Sequence, residues 1–244
     1  MELHIIVATF IVSMSNHHPL EIKIKNSHWW KNAADTIDNH YSNSSEVMLS
    51  HHLMAVHNNI EAIFNKPAVG FYGKMFGLIP LLKLNAEEVK EELKIAALLH
   101  DIGKPGEDKE LVIPHPLTGK PAHKRHGLVS LMAAIEIIGT DLDQVPEKRN
   151  RIYRTVELHD MSWGLFKEYL DTGMLPEKER WNYINNKIHN LTGGGLLYLL
   201  LFKLADVHGH AKIHDVTWFY NTVKEHYFDI LNIELPIPTE ADIR

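Results

Sequence analysis

Apolar positions recur at three- and four-residue intervals along most of the chain, the spacing of one face of an α-helix. Leu49, Leu53, Val56, Ile60 and Ile63 trace one stripe, whose helix is expected to start after Ser44 or Ser45, with Glu46 in the first turn. A second stripe runs Val89, Leu93, Ala96 and His100 behind Asn85, an N-cap residue followed by Ala86, Glu87 and Glu88. Further helices are expected over residues 126–138, closed by Gly139, and over 146–159, with Pro146 in the first turn. Others follow over 163–170, 177–189, 196–207 and 215–231, the last with Asp215 as its cap. Residues 67–80, rich in glycine and aromatic side chains, read as a connector near the site, a loop or a short turn of helix. Residues 107–124 read as a polar loop with Pro114, Pro116, Gly119 and Pro121, and the glycines at 193–195 as a break. Strand alternation is almost absent, so the expected fold is all-α. Residues 1–45 read as an N-terminal extension, 46–231 as the domain and 232–244 as a tail.

The apolar run over residues 3–12 is too short to span a membrane and lacks the basic flank and cleavage pattern of a signal peptide. Met14 after it suggests a later translation start, the alternative being a short strand or helix on the body. Trp29 and Trp30 sit among polar residues and suit edge packing better than base stacking. The 244 residues suffice for one large domain or two small ones. A net charge of −6 without a basic run argues against a broad nucleic-acid surface and leaves room for a local basic pocket. Cysteine is absent, so there are no disulfides and no thiolate ligands, which fits a cytoplasmic protein. With 18 histidines in the chain, any metal must be held by imidazole and carboxylate.

The informative feature is where polar residues interrupt the stripes. His52 falls on its apolar stripe, His51 on the opposite side and His57 at the margin. The segment AALLHDIGKPG, residues 96–106, delivers His100 and Asp101 from an apolar helix end. Neighbouring helical residues point about 100° apart, so the two can reach round one ion only near a helix end. Gly103 and Pro105 stop the helix there, and Lys104 adds a positive charge suited to phosphate. The dipeptide alone equally fits a solvated helix end, and it recurs at His159-Asp160 and His214-Asp215. His126, His159 and Asp206 also lie on apolar stripes. A buried imidazole or carboxylate needs a partner, and five helices each carrying one favour a shared metal centre. Asp141 and Asp143, following Gly139-Thr140, read as helix-end caps rather than a catalytic pair.

The order of these residues resembles the HD-domain metal-dependent phosphohydrolase superfamily: a His, then LLHDIGKP, the His126 that heads HGLVS, His159, and Asp206 in KLADVHGH. The local text is most similar to the HD modules attached to tRNA nucleotidyltransferases, and is similar also to HD nucleases of CRISPR systems and to stand-alone HD nucleotidases. The resemblance covers about residues 46–210 and leaves no room for a nucleotidyltransferase head. It implies an HD-domain helical bundle with a central metal site holding one or two divalent ions (Mn, Fe, Ni, Co or Zn, with Mg possible). His52, His100, Asp101 and Asp206 match the first ion's ligands. In the two-metal form Asp101 bridges, and His126 and His159 hold the second ion; helix phase favours His126 over His123. No Ser-His-Asp or Cys nucleophile is visible, so the expected nucleophile is a metal-activated hydroxide. Asp101 and Lys104 are the expected catalytic residues. Lys104, His123, Lys124, Arg125 and Lys203, with His115, are the groups expected to meet substrate, although Lys203 could instead neutralise Asp206. The implied substrate is a small phosphate ester, a nucleotide or cyclic nucleotide, or a nucleic-acid end. The alternatives are a mixed-valence di-iron oxygenase of HD type and a non-catalytic HD binding or sensor module.

Overall fold

A computed structural model of the chain describes residues 18–38, 47–106, 108–114, 121–189, 194–207 and 213–243. Among the described residues it is all-α, as the periodicity predicts, apart from one small antiparallel ribbon. The helices are α1 (Pro19–Asn26), α2 (His28–Ala34), α3 (Leu49–Phe64), α4 (Gly70–Leu81), α5 (Ala86–Leu99) and α6 (His126–Ile138). They continue as α7 (Pro146–Leu158), α8 (Met161–Thr172), α9 (Lys178–Ile188), α10 (Gly194–Val207), α11 (Ile213–Leu231) and α12 (Glu240–Ile243). No helix of the described residues is long and apolar enough to cross a membrane.

The core is built on α3, α5, α7 and α10. Every residue of α10 from Gly194 to Ala205 is buried, the signature of a helix packed on all sides. Its six leucines are all buried, each worth roughly 1.5–3 kcal/mol. Asn85 caps α5 as expected, its side chain accepting from the Glu87 and Glu88 amides, while Val89, Leu93 and Ala96 turn inward.

Several expectations are corrected. Residues 67–80 are no loose connector: α4 runs twelve residues, with Phe71, Tyr72, Met75, Leu78 and Ile79 forming a buried stripe that the intervening glycines obscure. It packs away from the cluster described below, the Tyr72 hydroxyl donating to the Asp242 carbonyl at 2.6 Å. The segment after α11 is tied down through that bond and through buried Leu235 and Ile243. The polar loop contains β1 (Val112–Pro114) paired with β2 (Pro121–His123), Val112 opposite His123. α3 begins at Leu49 and α10 already at Gly194. Ser44, Ser45 and Glu46 lie outside the described residues, as do the apolar run 3–12, Met14, His115 and Gly193.

Residues 19–38, expected to belong to the N-terminal extension, pack on the same core. Leu20, Ile24 and Ala33 are buried, and Glu21 meets His57 of α3 at 3.1 Å. Trp29 and Trp30 are partly buried against the core, with Trp29 Nε1 donating to Glu136 at 3.1 Å. After α2 the backbone turns to pair with the entry to α3. The Asp38 amide donates to the Val47 carbonyl and the Leu49 amide to the Thr36 carbonyl, both at 2.7 Å. The second bond satisfies one of the orphan donors at the start of α3, which lacks a side-chain cap.

Candidate metal centre

Six side chains converge from the ends of five helices. His100 is the C-cap of α5 and Asp101 follows in the turn. His159 is the C-cap of α7, and Asp206 stands in the last turn of α10. Three helix C-termini therefore end at one place, and their carbonyl dipoles favour positive charge. His126 opens α6, and His52 comes from the first turns of α3. His52, His100, Asp101 and His159 are buried, whereas His51 is exposed, as helix phase predicts.

Two glycines allow this convergence. A Cβ on Gly103 would stand 2.3 Å from the Ser130 amide nitrogen, so only glycine lets α6 reach the turn after Asp101. Its own amide donates to Ser130 Oγ at 3.0 Å. A Cβ on Gly127 would meet the Glu157 carbonyl oxygen at 2.7 Å, which fixes how closely His126 approaches His159. Gly103 thus serves a close approach, beyond the helix stop inferred from sequence.

The six residues form two groups that share Asp101. In the first, His52 Nε2 and His100 Nε2 are 3.2 Å apart, and each is 3.5 Å from Asp206 Oδ1. Asp101 Oδ2 lies 3.7 Å from His52 Nε2 and 3.5 Å from His100 Nε2. In the second, His126 Nε2 and His159 Nε2 are 3.1 Å apart, and each is 3.3 Å from Asp101 Oδ1. Donors about 2.1 Å from one ion at tetrahedral or octahedral angles stand about 3.0–3.4 Å from one another, so these separations suit ligands of a metal.

The proton positions make the same point. His100 Nδ1 donates to the Ala97 carbonyl at 2.8 Å, His159 Nδ1 to Val156 at 2.8 Å, and His126 Nδ1 to His123 at 2.5 Å. An Nδ1 bonded to a carbonyl must carry the proton, which leaves a lone pair on Nε2 of a neutral ring. The His126 and His159 lone pairs then face each other at 3.1 Å. Only a positive charge between them makes that arrangement favourable, either a proton on one ring or a cation shared by both. Two sets within the cluster, His52–His100–Asp206 and His100–Asp101–His159, have donor atoms close enough together to hold a metal ion.

Electrostatics follow the same pattern. Burial opposes ionisation of Asp101, but Lys104, His100 and His126 outweigh it and hold the carboxyl well below its usual range. Burial likewise opposes ionisation of Asp206, and the bonds to His100 and His52 overcome it. Burial lowers His126, while Asp101 pulls the other way. Lys104 is itself buried, with Nζ 2.5 Å from Asp101 Oδ2 and 4.0 Å from Asp38 Oδ1.

The residues expected to meet substrate divide. Lys104 is in the cluster. His123 is half-buried, and burial and the Lys104 charge lower its pKa. Lys124 and Arg125 are exposed in the turn before His126. Lys203 Nζ is 2.8 Å from Asp215 Oδ2 of α11, both side chains are buried, and the charge of Asp206 also favours its ammonium form. Asp215 is accordingly more than a helix cap. Asp160, beside His159, is exposed. Asp141 and Asp143 pair with Lys23 and Arg149, away from the cluster.

Sequence reasoning missed two features. Asp38, from the segment before α3, is buried with Oδ2 3.8 Å from His52 Nδ1. Helix phase could not find it, because it sits on no helix. A buried network also joins α5, α7 and α10: Arg151 donates twice to Glu92 at 2.6 Å, and the Tyr198 hydroxyl donates to Glu92 at 2.5 Å. Compared with known proteins, the chain matches no family model and no curated protein.

Proposed function

We propose that the protein is a metal-dependent phosphohydrolase of HD type, acting on a phosphate ester of a nucleotide, a cyclic nucleotide or an oligonucleotide end. The observation that carries this reading is the division of Asp101. One carboxylate oxygen faces His52 and His100, which also meet Asp206, and the other faces His126 and His159, the donor arrangement of a site for two adjacent divalent ions. Bound there, such ions lower the pKa of a coordinated water and offset charge on a phosphoryl group. The chain's part is to hold and orient: four imidazoles present Nε2, and Asp101 stays ionised between them. Lys104, buried with its ammonium 2.5 Å from Asp101 Oδ2, holds a positive charge beside the cluster that would favour a phosphoryl group brought to the ions. His123, whose ring feels the Lys104 charge, is the second group that would touch substrate. The absence of thiolate donors restricts the ion to one that accepts nitrogen and oxygen ligands, such as Mn, Fe, Co, Ni or Zn.

The test is phosphate release from a panel of nucleotides, cyclic nucleotides and short oligonucleotides, with Mn²⁺, Co²⁺, Ni²⁺ and Mg²⁺ added in turn and metal content measured in parallel. Release that depends on metal and disappears with chelation is the expected result. Protein that carries its ions yet hydrolyses none of these esters overturns the proposal. Oxygen uptake by the iron-loaded form would then favour the oxygenase reading of the same ligands.

A further inference from the structure

We propose that Asp38 is a positioning residue of the metal centre, orienting His52 from the segment that precedes α3; this rests on the metal-binding reading of the cluster. The four histidines are not held alike. His100, His126 and His159 each give the Nδ1 proton to a backbone carbonyl three residues earlier, at 2.8, 2.5 and 2.8 Å. All three stand at helix ends, where a carbonyl can turn toward the ring. His52, in the first turn of α3, is placed differently. Its Nδ1 faces the carboxylate of Asp38 instead, at 3.8 Å, with both side chains buried. A metal-binding imidazole is oriented by what its other nitrogen meets, and a carboxylate there also raises its basicity.

The backbone places Asp38 firmly. Its amide bonds to the Val47 carbonyl at 2.7 Å, and Ile37 bridges to Met48. The carboxylate therefore stands in fixed register with the first turn of α3. The same group lies 4.0 Å from Lys104 Nζ, which contacts Asp101 at 2.5 Å. Asp38 thus also counters the lysine charge that would otherwise weigh against binding a cation. A segment with no helical stripe is in this way part of the centre.

The experiment is calorimetric titration of metal-free protein with Mn²⁺ alone, comparing wild type, Asp38→Asn, Asp38→Ala and His52→Ala, with melting temperatures of the metal-free and loaded forms. Asp38→Ala should weaken Mn²⁺ affinity about 10- to 100-fold, the usual cost of losing an outer partner. Asp38→Asn, which keeps an acceptor and the backbone bond, should lose less. The melting-temperature gain on loading should shrink in the same order. Unchanged affinity in both Asp38 variants, with His52→Ala impaired, overturns the role of Asp38 and leaves the metal centre standing. A wild-type chain that binds no Mn²⁺ overturns the metal reading itself. If Asp38→Ala does not fold, the Asn variant decides: wild-type affinity in it overturns the proposal, and weakened affinity with an unchanged metal-free melting temperature supports it.

Discussion

Asp101 is buried to 0% exposure, and its two oxygens face different pairs of imidazoles. Asp101→Ala removes one donor from each group at once. Metal content should fall, and hydrolysis should drop by several orders of magnitude, because no protein nucleophile can substitute. Asp160→Ala, at an exposed carboxylate beside His159, should leave both near wild type. Metal analysis and phosphate release on the two variants check this, and an active Asp101→Ala protein would refute the bridging role. Asp215 calls for a different expectation. A lost helix cap costs about 1 kcal/mol, but Asp215 is the buried partner of Lys203. Stranding that ammonium should cost about 3–5 kcal/mol. Urea unfolding of Asp215→Ala measures the loss, and the Asp215→Leu/Lys203→Met pair should recover most of it.

Helices α5, α7 and α10 must stop at the same level for their ends to meet. The Glu92–Arg151–Tyr198 network sits where it can impose that register. Glu92, Arg151 and Tyr198 each precede their own helix's contribution, His100, His159 and Asp206, by eight residues. At the α-helical rise that is about 12 Å on every helix. A bidentate guanidinium–carboxylate contact tolerates little sliding, so it holds α5 against α7, and the tyrosine adds α10. Glu92→Ala should destabilise the fold by about 3–5 kcal/mol, since it leaves Arg151 buried without its counter-charge. It should also weaken metal binding, although Glu92 is two turns from His100. Denaturation and Mn²⁺ titration of this variant test both halves; unchanged metal affinity in folded protein would reduce the network to a stability element.

For the molecule as a whole, the docking of residues 19–38 decides whether the centre is complete, because Asp38 arrives with them. The Glu21–His57 contact joins α1 to α3 at 3.1 Å in the interior. Burial raises the Glu21 pKa, and the bond and charge of His57 outweigh it, so the folded value lies below the ordinary 4.5. A depressed carboxyl contributes stability that is present above pH 4.5 and lost as pH falls through the lower folded value. Wild type should therefore lose stability across that window faster than Glu21→Gln, which has no proton to take up there. Urea midpoints of the two proteins from pH 6 to pH 3 check the sign; parallel curves would show that the contact carries no pH dependence.

Local periodicity determined much of this centre. Whether a histidine lies on an apolar stripe is a property of residues three and four positions away, so His52 could be separated from His51. His100, His126, His159 and Asp206 could be picked out on the same ground. Glycine-rich α4 escaped because its stripe is diluted, and the β1–β2 ribbon because three-residue strands carry no alternation to read. Only tertiary structure decided the partners. Asp38 meets His52, Lys203 meets Asp215, and Glu92 finds Arg151 and Tyr198 from 59 and 106 residues away. A stripe states that a charged group must be compensated in the interior; which opposite charge compensates it depends on chain segments that come together only when the helices pack.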